Sequence, residues 1–148
     1  MKELYVEDLK VGQVFRTGTK LVDADEVRAF AADFDPQPFH LDEEAGRSSI
    51  FGRMAASGWH TAAMTMRLYV DSPFRPAGGS IGAGMDELKW PRPVYPGDTL
   101  RAEIEILSAR VSRSKPDRGI VRIRCVTLNQ HDEPVQVYVS TVVMAARG

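Results

Sequence analysis

One short segment carries an acidic and an imidazole side chain at a spacing that suits acid/base chemistry. It reads Asp35-Pro36-Gln37-Pro38-Phe39-His40. Each proline fixes its own φ angle and restricts the residue before it, so we expect a stiff, irregular loop that presents both side chains. A carboxylate and an imidazole held together form a general acid/base pair, because their pKa values can be tuned towards neutrality. Asp35 and His40 are the candidate catalytic residues; the plainer interpretation is a helix end, a turn and a surface histidine.

A second candidate group lies where Gly58 opens a predicted helix behind the capping residue Ser57. The first backbone N–H groups of a helix have no partner within it, and the helix dipole is positive there. Glycine also allows a ligand oxygen to approach the backbone closely. The Gly58 N–H is therefore a candidate donor to a carbonyl oxygen that gains negative charge during a reaction. The alternative is that this glycine only permits close packing of the helix.

Two helices are predicted to position these groups. Apolar residues recur at helical spacing after Asp23, which together with Glu26 forms a capping-box pattern. This helix must end near Asp35, because prolines follow. The second helix is predicted from residue 58 to about 69, and apolar residues on much of its surface indicate that it is buried.

Strands are predicted in the remainder of the chain, where polar and apolar residues alternate. They lie weakly at 13–21 and then at 80–90, 100–106, 121–125 and 135–143. Strands this close in sequence pair as antiparallel neighbours, and the helix at 58–69 is the candidate to cover the apolar face of their sheet. These elements predict an α+β fold, with an antiparallel sheet wrapped on one long helix, in a single domain spanning 1–148.

Composition excludes several classes of protein. Lys and Arg total 19 and Asp and Glu total 20, which argues against a nucleic-acid-binding protein. The one cysteine, Cys125, alternates with strand residues and is expected in the core, in a reducing compartment. We see neither an apolar leader nor a membrane-spanning stretch, so we expect a cytoplasmic protein. The three histidines lack metal-ligand spacing, and His60 is expected to be packed rather than catalytic.

The segments that hold the candidate residues resemble the MaoC-like acyl dehydratases, which are relatives of the R-specific enoyl-CoA hydratases. The resemblance extends from about Val11 to Val143. It rests on the Asp-x-Gln-Pro-x-His pattern, on the later Phe-Gly and Ala-Ser-Gly, and on Leu88-Lys89-Trp90-Pro91-Arg92-Pro93-Val94-Tyr95-Pro96-Gly97-Asp98-Thr99-Leu100. It implies a hotdog fold, in which a sheet wraps a central helix, and a homodimer whose two sheets join side by side. Gln37 departs from the pattern, since many hydratases have Asn there.

The resemblance also implies an activity: addition of water to a coenzyme A thioester, or its removal. Asp35 and His40 would be the acid/base pair and the Gly58 N–H the oxyanion donor. Coenzyme A would be part of the substrate, with no other cofactor and no metal. Further substrate contacts are expected from Gln37, Ser57 and Trp59. A basic loop cluster comprises Arg113, Lys115 and Arg118; it is either a solvated hairpin tip or, with Arg92 as the other candidate, the group that binds the phosphates of coenzyme A.

Two other functions remain open at this point. A hotdog thioesterase usually relies on a carboxylate of the central helix, but residues 58–69 contain neither Asp nor Glu. A non-catalytic acyl-CoA-binding module is the other alternative, because a fold does not establish a function. The glycine-rich segment 78–84 lacks the Lys-Ser/Thr ending of a phosphate loop. The sequence does not specify the acyl chain, the carrier or the direction of the reaction.

Overall fold

Five antiparallel strands form one sheet in the order β1-β3-β4-β5-β2 in the computed structural model, which describes residues 2–148. The strands are Val14–Leu21 (β1), Ile81–Lys89 (β2), Thr99–Val111 (β3), Arg118–Leu128 (β4) and Pro134–Ala145 (β5). Strands β3, β4 and β5 pair in sequence order, and β1 and β2 are the two edges. The predicted α+β fold with an antiparallel sheet is confirmed.

The inner face of the sheet forms the core. In β3, four apolar side chains are fully buried and alternate with half-buried polar ones: Leu100, Ala102, Ile104 and Ile106. Charged residues lie on the opposite face, where Arg124 pairs with Glu105 at 3.0 Å across β3 and β4. This alternation is what a sheet with one solvated face requires.

Strand β5 departs from the simple alternation that the sequence suggested. Valines at alternate positions from Val135 onward predict one apolar face, but Tyr138, Val142 and Met144 of the opposite face join the large core cluster. Both faces of β5 thus carry apolar residues. Periodicity alone could not decide which face meets the core.

The helices are Ala24–Phe34 (α1), Pro38–Leu41 (α2), Glu43–Arg47 (α3) and Gly58–Val70 (α4), after a 3-10 turn at Val6–Asp8. The Asp23 side chain accepts the Glu26 N–H at 3.0 Å and caps α1 as predicted. The capping box is only half formed, because the Glu26 carboxylate bonds Lys20 instead. No helix within residues 2–148 is long and apolar enough to cross a membrane.

Helix α4 packs along the inner face of the sheet. Met64 and Leu68 share a buried cluster with Leu100 of β3 and Val135 of β5. Further along α4, Tyr69 joins the main core. A curved antiparallel sheet packed on this helix is the hotdog arrangement that the resemblance implied, and it places the beginning of α4 beside the end of α1.

The segment from Asp35 to His40 differs from the predicted irregular loop. Asp35 ends α1, but Pro38 is the first residue of α2 and His40 lies within that short helix. Proline fits the first position of a helix, because its fixed φ angle is helical and its missing N–H would have no partner there. The two prolines therefore end one helix and begin another, and both α2 and α3 were missed.

Candidate active site

The end of α1 and the short helix α2 bring Asp35 and His40 together. Asp35 Oδ2 lies 3.4 Å from His40 Nε2. Both side chains are largely buried, with 17% of Asp35 and 6% of His40 exposed. The pair is thus shielded from bulk water while one edge remains open to a ligand.

A backbone carbonyl fixes the tautomer of His40. Its Nδ1 lies 2.6 Å from the Ala55 oxygen, and a carbonyl can only accept, so Nδ1 carries a hydrogen. The neutral ring then has its lone pair on Nε2, which faces the Asp35 carboxylate. Two acceptors this close need a shared proton, or a donor such as water that lies beside the pair and contacts both. The arrangement is therefore suited to hold and deprotonate a water molecule.

Hydrogen bonds keep Asp35 ionised. Ser57 Oγ donates to Oδ2 at 2.7 Å, and Gln37 Nε2 donates to Oδ1 at 2.5 Å. The Ser57 bond has the largest effect on the pKa of Asp35, and it outweighs burial, which acts in the opposite direction. The Gln37 bond lowers the pKa of Asp35 further, as does His40 whenever its ring is protonated, so this pKa lies below its usual value. Gln37 thus contacts the candidate acid directly.

The beginning of α4 presents the Gly58 backbone to the same region. Ser57 caps the helix by accepting the Trp59 N–H at 3.2 Å, whereas the Gly58 N–H has no partner within residues 2–148. A Cβ on Gly58 would lie 2.7 Å from Cε2 of Trp90. Glycine is therefore required here by the indole packed on it, and its N–H remains available as a donor.

A cavity of about 390 Å³ reaches from His40 to Gly58, and Asp35 lies behind its wall, in contact with His40 and Gln37. Gln37, His40, Gly58 and Arg92 line it, and its other walls are largely aromatic and aliphatic: Phe39, Phe51, Trp90 and Val94. Such a mixture, mostly apolar with a few convergent polar groups, is typical of a small-molecule site. Arg92 is paired loosely with Glu133 at 3.4 Å, and its side chain is 54% exposed.

Comparison with known proteins agrees with this geometry. Residues 8–137 match the model of the MaoC-like domain. The chain belongs to this family. The MaoC-like dehydratase structure from Rhodospirillum rubrum is 53% identical, with a TM-score of 0.93, and the match covers 98% of this chain and 99% of that one.

Two curated proteins extend the comparison. The uncharacterized protein YdeM of Bacillus subtilis is 32% identical over 130 residues, which cover 88% of this chain and 91% of YdeM. The (R)-specific enoyl-CoA hydratase of Aeromonas caviae is 35% identical over 105 residues, which cover 70% of this chain and 75% of the hydratase. The chain is thus a member of a hydratase and dehydratase family.

Not all predicted site residues of this MaoC-like protein meet at the cavity. Trp59 is 58% exposed and contacts the Trp90 ring edge-on at 5.1 Å. The basic cluster lies at the opposite end of the sheet. Arg118 begins β4 and pairs with Ala145 of β5, whereas Gln136, which accepts the hydrogen bond of Trp90 beside the cavity, pairs with Thr127 near the end of β4. Within one chain the structure separates Arg113, Lys115 and Arg118 from Asp35. Their binding of phosphate stays a prediction.

Two residues set aside as structural are buried as expected. His60 stacks on Phe30 with ring centroids 4.7 Å apart, its Nδ1 is buried without a partner, and burial lowers its pKa. Cys125 is fully buried, and burial raises the pKa of its thiol to about 11. Within residues 2–148, no three His, Cys, Asp or Glu side chains are grouped to hold a metal ion.

One contact beside the cavity was missed at the level of sequence. Trp90 Nε1 donates to Gln136 Oε1 at 2.8 Å, and Gln136 is completely buried on β5. Trp90 belongs to the segment that carries the family resemblance, but no role was assigned to it. The one feature of the sequence that could have indicated this contact is a glutamine between two valines in a strand, Val135-Gln136-Val137.

Proposed function

We propose that this MaoC-like protein adds water to a trans-2-enoyl thioester of coenzyme A, or removes it from the 3-hydroxyacyl thioester. The decisive observation is the pair of facing acceptors, Asp35 Oδ2 and His40 Nε2, 3.4 Å apart. The Gly58 N–H lines the same cavity as His40. Water activation and stabilisation of an enolate oxygen are the two needs of this reaction, and one cavity offers groups for both.

In the hydration direction, a water molecule donates one hydrogen to Nε2 and the other to the Asp35 carboxylate. Nε2 takes the proton as the water oxygen bonds to the β-carbon. The imidazolium formed is stabilised by the Asp35 anion and then delivers the proton to the α-carbon. The Nδ1 hydrogen remains on the Ala55 carbonyl throughout. General acid/base assistance of this kind contributes roughly 10²–10⁴-fold to a rate.

The electrons displaced from the double bond reach the thioester oxygen. The Gly58 N–H stabilises that oxygen as it becomes an enolate, and the positive end of the α4 dipole adds to the effect. A donor of this kind contributes about 10²–10³-fold, because its hydrogen bond is stronger in the transition state than with the substrate. The reaction adds or removes the elements of water with no net oxidation or reduction, so we propose no cofactor beyond the coenzyme A of the substrate.

We propose a homodimer as the working assembly. Strand β2 is an unpaired edge, and apolar side chains are exposed on it, including Ile81 at 70% and Met85 at 49%. Met66 and Val70 of α4 line an adjacent cavity of about 780 Å³. A second copy aligned along β2 would pair the open backbone groups and cover this surface. Light scattering of the purified chain tests this assembly.

The activity is tested with crotonyl-CoA, by following the loss of the conjugated enoyl-thioester absorbance. The wild type should consume it. Asp35→Asn should lose most of the rate while staying folded, and Asp33→Asn, which changes an exposed carboxylate on the same helix, should keep it. Release of free thiol without hydration would indicate a thioesterase. Tight binding without turnover, across longer and branched enoyl-CoAs, would indicate a binding module.

A further inference from the structure

The direction of the Gly58 N–H depends on what packs against the first turn of α4. The Trp90 indole does so most closely, since a Cβ on Gly58 would lie within 2.7–3.0 Å of three ring atoms. Trp90 lies just past the last residue of β2, outside regular structure, where backbone hydrogen bonds do not fix a side chain. Its ring must be held by other contacts.

Two contacts hold the indole in place. Trp59 of α4 packs edge-on against it, with an interplanar angle of 83°. The indole N–H donates to Gln136 Oε1 at 2.8 Å. Gln136 has no exposed surface and lies on an inner strand of the sheet, so its oxygen is a rigid anchor.

This anchor leaves a buried group unpaired. The indole N–H can only donate, so Gln136 must present its oxygen to Trp90. Its Nε2 is then buried without a partner among residues 2–148. A buried donor without an acceptor destabilises the folded state, and an apolar side chain of similar shape would avoid that penalty. Stability therefore does not explain a glutamine at this position.

We propose that Gln136 and Trp90 are positioning residues for the Gly58 N–H. Gln136 fixes the indole, the indole fixes the first turn of α4, and the turn directs the N–H at the thioester oxygen. This inference rests on the proposed function, because it assigns the pair to the enolate-stabilising half of the site. It separates that half from Asp35 and His40, which Gln136 does not contact.

The main test is Gln136→Leu, which removes both the anchor and the unpaired amide. Thermal stability should be equal to or above that of the wild type. We expect kcat on crotonyl-CoA to fall about tenfold with KM nearly unchanged, because the misdirected donor acts mainly in the transition state. Ser140→Ala, a buried polar change four residues along β5, should leave both constants unchanged.

A double-mutant cycle with Trp90→Phe shows whether the two residues act as one unit. Phenylalanine keeps an aromatic ring over Gly58 but cannot donate to Gln136. If the indole transmits the effect of Gln136, the double variant should be no slower than the slower single variant. Unchanged kcat in Gln136→Leu, a joint fall of kcat and thermal stability, or additive losses in the cycle would each overturn the proposal.

An NMR measurement keeps this test separate from the proposed activity. In isotope-labelled protein, butyryl-CoA, a saturated thioester that cannot be hydrated, should shift the Gly58 amide resonance, and Gln136→Leu should weaken that shift. If the wild type hydrates no enoyl-CoA but the Gly58 shift depends on Gln136, the proposed reaction fails and the positioning role stands. If the Gly58 resonance is the same in both proteins, the positioning role is wrong whatever the activity.

Discussion

The protein buries two histidines to nearly the same extent in two different settings. As whole residues, His40 is 5% exposed and His60 is 6% exposed. At the candidate active site, both nitrogens of His40 face oxygen atoms, of Ala55 and Asp35. In the contact between α1 and α4, His60 lies flat on Phe30, and its Nδ1 has no partner within residues 2–148.

The comparison separates burial from the contacts that acid/base chemistry needs. Burial favours the neutral form of an imidazole, and at His60 it lowers the pKa more than Glu26 raises it. At His40 a backbone carbonyl fixes one nitrogen, and a carboxylate lies 3.4 Å from the other. A fixed tautomer and a carboxylate beside the second nitrogen distinguish the two sites.

The largest expected effect comes from removing each imidazole in turn. His40→Gln should reduce kcat/KM on crotonyl-CoA by about 10³-fold, because the proton acceptor is lost. His60→Gln should change it little, because this ring touches no reacting group. Circular dichroism confirms that both variants are folded. Comparable losses in the two folded variants would remove the distinction between the sites.

A smaller effect is expected from Ser57→Ala, which alters the partner of His40. The Ser57 hydrogen bond is the main cause of the lowered pKa of Asp35, so that pKa should rise towards its usual value without it. The acid limb of the pH–rate profile should move to higher pH, with activity lower on that limb and nearly unchanged at neutral pH, where the carboxylate is ionised in both proteins. Ser72→Ala removes another buried, hydrogen-bonded serine and should leave the profile unmoved.

The smallest effect concerns stability, and it tests the other histidine. The folded-state pKa of His60 is lowered by burial, with Glu26 opposing and Lys20 reinforcing the shift. Above the usual histidine pKa, His60 is neutral in both the folded and the unfolded chain, and its full contribution to the free energy of unfolding is present. As the pH falls below that value, the unfolded chain binds the proton first, so this contribution is lost. His60→Phe should therefore flatten the stability curve below that pKa.

Chemical unfolding at a series of pH values measures this curve. His131→Gln, which changes an exposed histidine in a turn, should leave the slope as in the wild type. An unchanged slope in His60→Phe would mean that His60 titrates alike in the folded and unfolded chains.

Elements with a strong periodic pattern were predictable from sequence. Helix α4 matched closely, and the prediction for β3 found its alternating first half but not its continuation to Val111, because burial of one face imposes a period on the residues only where that face is buried. The proximity of Asp35 and His40 also followed from their short separation. The prolines were misread around α2: Pro38 was taken to prevent a helix, although proline is compatible with the first helical turn.

Contacts between distant segments were not predictable. Trp90 and Gln136 are 46 residues apart, and neither the indole nor the amide has a local pattern that reveals its partner. The basic cluster near residue 115 was grouped with the site by charge type alone. The pairing of β4 with β5 determines that it lies at the other end of the sheet. The sequence therefore indicated the candidate acid/base pair, which is close along the chain, but not the Trp90–Gln136 contact, which joins distant segments.

The spacing between Asp35 and His40 has a stereochemical consequence. Atoms 3.4 Å apart can both contact one water that lies beside them, and the proposed reaction takes both its hydroxyl and its proton from that water. The two new bonds must then form on the same face of the planar alkene, giving syn addition and one enantiomer of the alcohol. In heavy water the deuterium at the α-carbon would therefore lie on the same side as the new hydroxyl group. The positions of the two side chains thus determine the stereochemistry of the product.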